Sequence, residues 1–284
     1  MSDVSFSGSI ARPWWRILSR RGVLQDDFAP IEASWTDIPL IDLSTYLNIC
    51  GFNQPSDTSW PITYPQVLLT PLHMQLIAHP RFPFPGLGLV HVRQICEQHQ
   101  PIVHRKDCRA IARADNLRLR KRGAELDLIT ELYSDDVLLW SAVTTVYSRK
   151  ANGHGGSDSR TEPPKKTEHV KEDSWSLPEN LGRQYTKISG DFNPIHLYAW
   201  TAKPFGFSKA IIHGMWTMAH ALSKLRPNPT RVEVHFIRPV ELPSSPLFSW
   251  EETDQGSRFW VSNAQTQKIC LWGLLSHSPL RDHS

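Results

Sequence analysis

Apolar and polar positions along this chain follow one order twice: a short apolar helix, then a run of period-two strands. In the first half, Pro71 to His79 reads as an apolar helix, stopped by Pro80 and the Pro83–Pro85 pair. Strands are predicted over Gly88–Cys96, Ile102–Ala114, Gly123–Tyr133 and Val137–Ser148. The third alternates cleanly, Ala124, Leu126, Leu128 and Leu132 against Glu125, Asp127 and Glu131. In the second half a helix begins at His213–Gly214. Met215, Met218, Ala219, Leu222 and Leu225 share one face, and Pro227 and Pro229 stop the element. Its other face carries Trp216 and Ala221, so protein is expected all round it. Strands follow over Arg231–Arg238, Leu247–Glu252, Ser257–Asn263 and Lys268–Ser276. This order fits an α+β arrangement, an antiparallel sheet curled around one apolar helix, made twice. The repeat is one of element order, since no obvious identity links the halves.

Shorter features are read locally. Residues around Trp14–Trp15 suggest a docking helix and not a secretion signal, because no apolar stretch precedes Arg20–Arg21. Leu40–Leu47 fits a short strand or helix, and Arg118–Arg122 a turn between strands. Arg149–Lys171, rich in Gly, Ser, Pro and Lys, reads as a linker.

Composition narrows the class. The 284 residues are 40% hydrophobic, enough for one large or two ordinary cores. A net charge of +3 without a basic, aromatic-interleaved patch argues against nucleic acid while tolerating an anionic ligand. Cys50, Cys96, Cys108 and Cys270 are scattered without metal spacing, which fits reduced thiols and a cytoplasmic protein. No apolar run approaches the roughly 20 residues of a membrane span.

The chemistry gathers in Tyr185–Leu225. Asn193 is a favoured cap and Pro194 a favoured first helical residue, so a short helix is expected from there to about Lys203. Asp191 then sits on the preceding loop and His196 in the first turn, facing one small space. Gly214 opens the next helix, where unpaired amides and the helix dipole can meet a ligand oxygen. An acid, a base and an oxyanion site thus come from one segment. Ser189, Asp191 and His196 are too close in sequence to line up as a hydrolase triad, and no GxSxG elbow exists. A zinc site from His196, His213 and His220 lacks any Cys or HExxH spacing.

SGDFNPIH followed by FGFSKAIIHGM resembles the signature of MaoC-like dehydratases, the (R)-specific enoyl-thioester hydratases of the hot-dog fold. The resemblance implies a tandem (double) hot-dog: a non-catalytic domain over 1–150, a linker over 151–172, and a catalytic domain over 173–284. It implies interconversion of trans-2-enoyl-CoA, or the acyl-carrier-protein thioester, with the (3R)-hydroxyacyl thioester by syn addition of water. Asp191 and His196 would be catalytic, Gly214 would bind the thioester oxygen, and Asn193, Pro194 and His213 would support the site. No metal or other cofactor is implied, and a homodimer of the double hot-dog is compatible. Lys203, Lys209 and Arg238 are candidate cations for CoA phosphates. The alternatives are a hot-dog thioesterase and a non-catalytic acyl-thioester-binding subunit.

Overall fold

The computed structural model describes residues 3–20, 22, 28–53, 59–102, 107–149 and 161–277. The chain begins with β1 (Val4–Ser7), α1 (Trp14–Ser19), β2 (Ile31–Thr36), α2 (Leu43–Cys50), α3 (Tyr64–Leu68) and α4 (Thr70–Ala78). Four long strands follow: β3 (Leu89–Gln98), β4 (Cys108–Arg120), β5 (Gly123–Ser134) and β6 (Val137–Ser148). Next come β7 (Lys171–Ser174), α5 (Leu181–Ser189), α6 (Ala199–Ala202), β8 (Ala210–Ile211) and α7 (Gly214–Leu222). The last strands are β9 (Arg231–Phe236), β10 (Glu241–Leu242), β11 (Leu247–Thr253), β12 (Gly256–Ser262) and β13 (Ile269–Ser276).

The chain divides into two compact units, Met1–Leu40 with Leu68–Thr161, and Ile41–Val67 with Glu162–Ser284. In the first unit the strand order is β1-β2-β4-β5-β6-β3, antiparallel except for the β1–β2 pair. Ala124, Leu126, Leu128 and Leu132 of β5 are buried as their alternation predicts. Asp127, expected on the opposite face, is buried as well. Arg118 meets its two carboxylate oxygens at 2.6 and 2.7 Å, and the Thr145 hydroxyl donates at 2.7 Å. This pairing draws Arg118 into β4, so the turn predicted over Arg118–Arg122 shrinks to the two residues after Arg120. The helix α4, covering β2 and β4, is the apolar one predicted over Pro71–His79. The short helix α1 lies against α4 with Ile17 buried.

The second unit has strand order β9-β13-β12-β11-β7, all antiparallel, with β8 and β10 as a separate pair. Trp216, Thr217, Met218, Ala219, Ala221 and Leu222 of α7 are buried, as its all-round apolar pattern demands. The helix ends at Leu222, and Leu225 falls in the turn beyond it. Segment 41–67 joins this unit because α2 docks on α7. The Trp216 indole donates to the Ile49 carbonyl at 2.8 Å, and His220 Nδ1 to that of Cys50 at 2.9 Å. Gly51, at φ 78°, ends α2 where a Cβ would stand 2.9 Å from His220 Nδ1.

Each unit is thus an antiparallel sheet with an apolar helix, and together they make a double hot-dog of the α+β class. Residues 150–160, the first part of the expected linker, lie outside the described residues. Its later part is tied to the second unit: the Trp260 indole donates to the Pro164 carbonyl at 3.1 Å. All four cysteines are buried, and none is in a disulfide. Among the described residues no helix is long and apolar enough to cross a membrane.

Candidate active site

The floor of the site is α5. Leu181, Tyr185 and Ile188 repeat at helical spacing and are buried, and Gly190 ends the helix at φ 69°. Four α5 residues then fix the next turn of chain. The Thr186 hydroxyl donates to the Asp191 carbonyl at 3.0 Å, and Ser189 Oγ accepts the Asp191 N–H at 3.2 Å. Arg183 Nη1 donates to the Leu197 carbonyl at 2.7 Å. Gly182 lies directly under His196, where a Cβ would stand 2.2 Å from the His196 carbonyl oxygen. Sequence reasoning missed α5 and these four roles. The Leu181–Tyr185–Ile188 stripe ending at Gly190 is the signal that marks the helix.

Asn193 caps as expected, its Oδ1 accepting the Ile195 N–H at 3.4 Å, and Pro194 opens the turn. The single helix expected up to Lys203 is not formed. A 3-10 turn, Pro194–His196, comes first, then α6, then a second 3-10 turn, Lys203–Phe205. Tyr198 breaks the run by taking extended dihedrals (φ −146°, ψ 155°). The tight first turn places His196 beside the loop that carries Asp191.

Hydrogen bonds assign both imidazole tautomers. His196 Nδ1 lies 2.8 Å from the Ile211 carbonyl, which can only accept, so Nδ1 carries the proton and Nε2 offers a lone pair. That Nε2 stands 3.8 Å from Asp191 Oδ2. The carboxylate itself is not buried: its side chain is 38% exposed, and Oδ1 accepts the Asn193 N–H at 3.1 Å. His213 Nε2 lies 3.1 Å from the Asp191 carbonyl, so its proton sits on Nε2. The two imidazoles stack, centroids 3.6 Å apart at 25°. Burial pushes the His196 pKa down, opposed by the Asp191 charge and the Ile211 carbonyl. Burial, reinforced by His196, holds His213 well below the ordinary imidazole value.

Ligand-type atoms of Asp191, His196 and His213 lie within 4.8 Å of one another, the spacing of a possible metal site. Two of the four ring nitrogens already donate to carbonyls, and His213 Nδ1 is buried. Only His196 Nε2 and the carboxylate remain open, one ligand short of a three-residue zinc site. His220 stands apart, bonded to Cys50.

Gly214 follows His213 as the first residue of α7, whose leading amides have no acceptor inside the helix. A Cβ at Gly214 would meet the Phe236 ring at 2.8 Å. Of the candidate phosphate cations, Lys209 lies 3.6 Å from Glu241, Arg238 donates to the Ile269 carbonyl, and Lys203 is exposed. A cleft of about 280 Å³ lined by Trp175, Trp216, His220 and Lys224 contains none of the dyad residues. A ring nitrogen with a free lone pair and a carboxylate thus face each other across 3.8 Å, and Gly214 opens the helix that follows His213.

The MaoC like domain family matches residues 156–269. The chain is 33% identical over 221 residues to 3-hydroxyacyl-thioester dehydratase X of Mycobacterium tuberculosis, covering 76% of this chain and 77% of that protein. It is 27% identical over 209 residues to enoyl-CoA hydratase ChsH3 of the same organism, covering 66% and 70% of the two chains. The crystal structure of HtdX from M. tuberculosis superposes with a TM-score of 0.72 at 27% identity, over 86% of this chain and 98% of that one. One third identity across three quarters of both chains, on a shared double hot-dog, places the chain in the MaoC-like dehydratase family of hydro-lyases.

Proposed function

We propose that this protein interconverts a trans-2-enoyl thioester and the (3R)-hydroxyacyl thioester, with Asp191 and His196 as its acid–base pair. The observation that carries the reading is the free Nε2 lone pair of His196 facing Asp191 Oδ2 across 3.8 Å. One water fits against both groups. As its oxygen bonds to Cβ, its proton passes to His196 Nε2. Asp191, entering the step in its acid form, supplies the proton to Cα. His196 then returns a proton to Asp191, and the sum is one water added. Amides at Gly214 hold the thioester oxygen as charge moves onto it, a contact worth about 3–4 kcal/mol where measured. Both groups come from one loop and one turn, so hydrogen and hydroxyl add to the same face. The resemblance to (R)-specific hydratases supports the (3R) hand. Asn193 and Pro194 shape the turn. The first half, which lacks the Asp–Asn–Pro–His pattern, is the non-catalytic domain in this reading.

The test is to supply trans-2-enoyl-CoA esters of increasing chain length without added metal or nucleotide. Enoyl absorbance should fall with no thiol released, and a chiral column should return the (3R) alcohol. Released thiol would favour the thioesterase, and binding without turnover the binding subunit.

A further inference from the structure

We infer that His213 is a positioning residue that holds both members of the dyad at once; this rests on the acid–base reading of Asp191 and His196. Two separate contacts carry it. The Nε2–H of His213 anchors the main chain of Asp191, donating to its carbonyl at 3.1 Å. The ring face of His213 backs the ring of His196, centroids 3.6 Å apart. One side chain therefore fixes the backbone that aims the carboxylate and the plane that aims the base.

The simpler role, capping α7, is not performed by this side chain. His213 occupies the N-cap position but makes no side-chain cap bond. Its Nδ1 is buried with no partner. Tyr185 packs edge-on against the same ring, centroids 5.0 Å apart at 60°.

The arrangement also keeps His213 out of the proton traffic. Its titratable neighbours are Tyr185 from α5, and Asp191 and His196 from the loop and turn. A second proton would go to Nδ1, where no acceptor waits, on a ring already stacked against His196. His213 thus stays a neutral donor and platform while His196 gains and loses its proton.

Three variants of the full chain separate the two contacts. His213→Phe keeps a ring face and loses the N–H, His213→Gln keeps an N–H donor and loses the ring, and His213→Ala loses both. Each is measured for melting, for kcat and KM on an enoyl-CoA ester against pH, and for the His196 titration by nitrogen-15 NMR of the free protein. The expected result is a kcat loss of about 10–100-fold for Ala with KM changed less than threefold, the scale of misplacing a catalytic group by about 1 Å. Phe and Gln should each recover part of that loss. The His196 midpoint should rise in the Ala variant, as water enters the vacated space. Should Ala fail to fold, Phe and Gln decide. Folded variants with kcat within twofold of the parent and an unmoved His196 midpoint would overturn the inference. The NMR titration needs no turnover, so it still reads His213 if the dyad assignment itself fails.

Discussion

Asp191 Oδ2 stands 3.8 Å from His196 Nε2, too far for a direct hydrogen bond and close enough for one water to touch both. The gap is set from outside the pair. His196 is held by the Ile211 carbonyl and Asp191 by Thr186, Ser189 and His213. A carboxylate and an imidazole held apart in this way can work on a shared water instead of neutralising each other.

Removing either proton carrier should therefore cost about the same. Asp191→Asn and His196→Gln should each lower kcat by roughly 10²–10⁴-fold, and the double variant should be little worse than either. Asp191→Asn removes no packing and should melt near the parent, whereas His196→Gln gives up the stack on His213 and should melt somewhat lower while staying folded. Near-normal turnover in either folded variant would exclude the dyad.

The acidic limb of kcat/KM follows from burial of His196. Burial lowers its pKa, so the base form survives to lower pH than a free imidazole would, and activity should fall only below about 6.5. A pH–rate profile of the parent enzyme checks this. An acidic midpoint above 6.5 would point to another base.

Two glycines should respond differently to a methyl group. Gly182→Ala places a Cβ 2.2 Å from the His196 carbonyl, a backbone atom that cannot rotate away, so the Pro194–His196 turn must shift. A kcat loss of about 10–100-fold is expected. Gly214→Ala first meets the Phe236 side chain, at 2.8 Å, so adding Phe236→Leu should recover activity there. Steady-state kinetics of these three proteins are sufficient.

Acid should destabilise the first unit through His73, buried against the Thr130 hydroxyl at 2.6 Å. Burial, with nearby His91, lowers its pKa from 6.5 to about 4. Between those values the unfolded chain binds a proton that the folded chain refuses. Stability present above pH 6.5 is then lost as pH falls toward 4, by about 3 kcal/mol in all. Denaturant melts between pH 7 and 4 should show the loss, and His73→Gln should flatten it.

A fragment over 162–284 omits α2. Trp216 and His220 would lose the Ile49 and Cys50 carbonyls, and one side of α7 would be laid bare. The fragment should aggregate or melt well below the full chain in size-exclusion and thermal assays. A soluble, fully active fragment would contradict the docking of α2.

The sequence by itself determined the repeated helix-and-strand order, because period-two and helical spacing reflect which face meets the core. It also pointed to Asp191, His196 and Gly214, since a cap residue, a proline and a glycine punctuate one short segment. Local rules reach that far. Tertiary structure decided what depends on contacts remote in sequence. Arg118 entered a strand because Asp127 lies across the ladder. Segment 41–67 joined the second unit because the carbonyls ending α2 accept from Trp216 and His220, some 170 residues on. The expected single helix after Asn193 became separate short turns once Tyr198 adopted an extended backbone. His213, a helix-flanking histidine in sequence, became the platform under His196 only when β8 and α7 brought it face to face with that ring. Hydrophobic period and capping chemistry are properties of neighbours in sequence; tautomers, stacking and the 3.8 Å gap belong to neighbours in space.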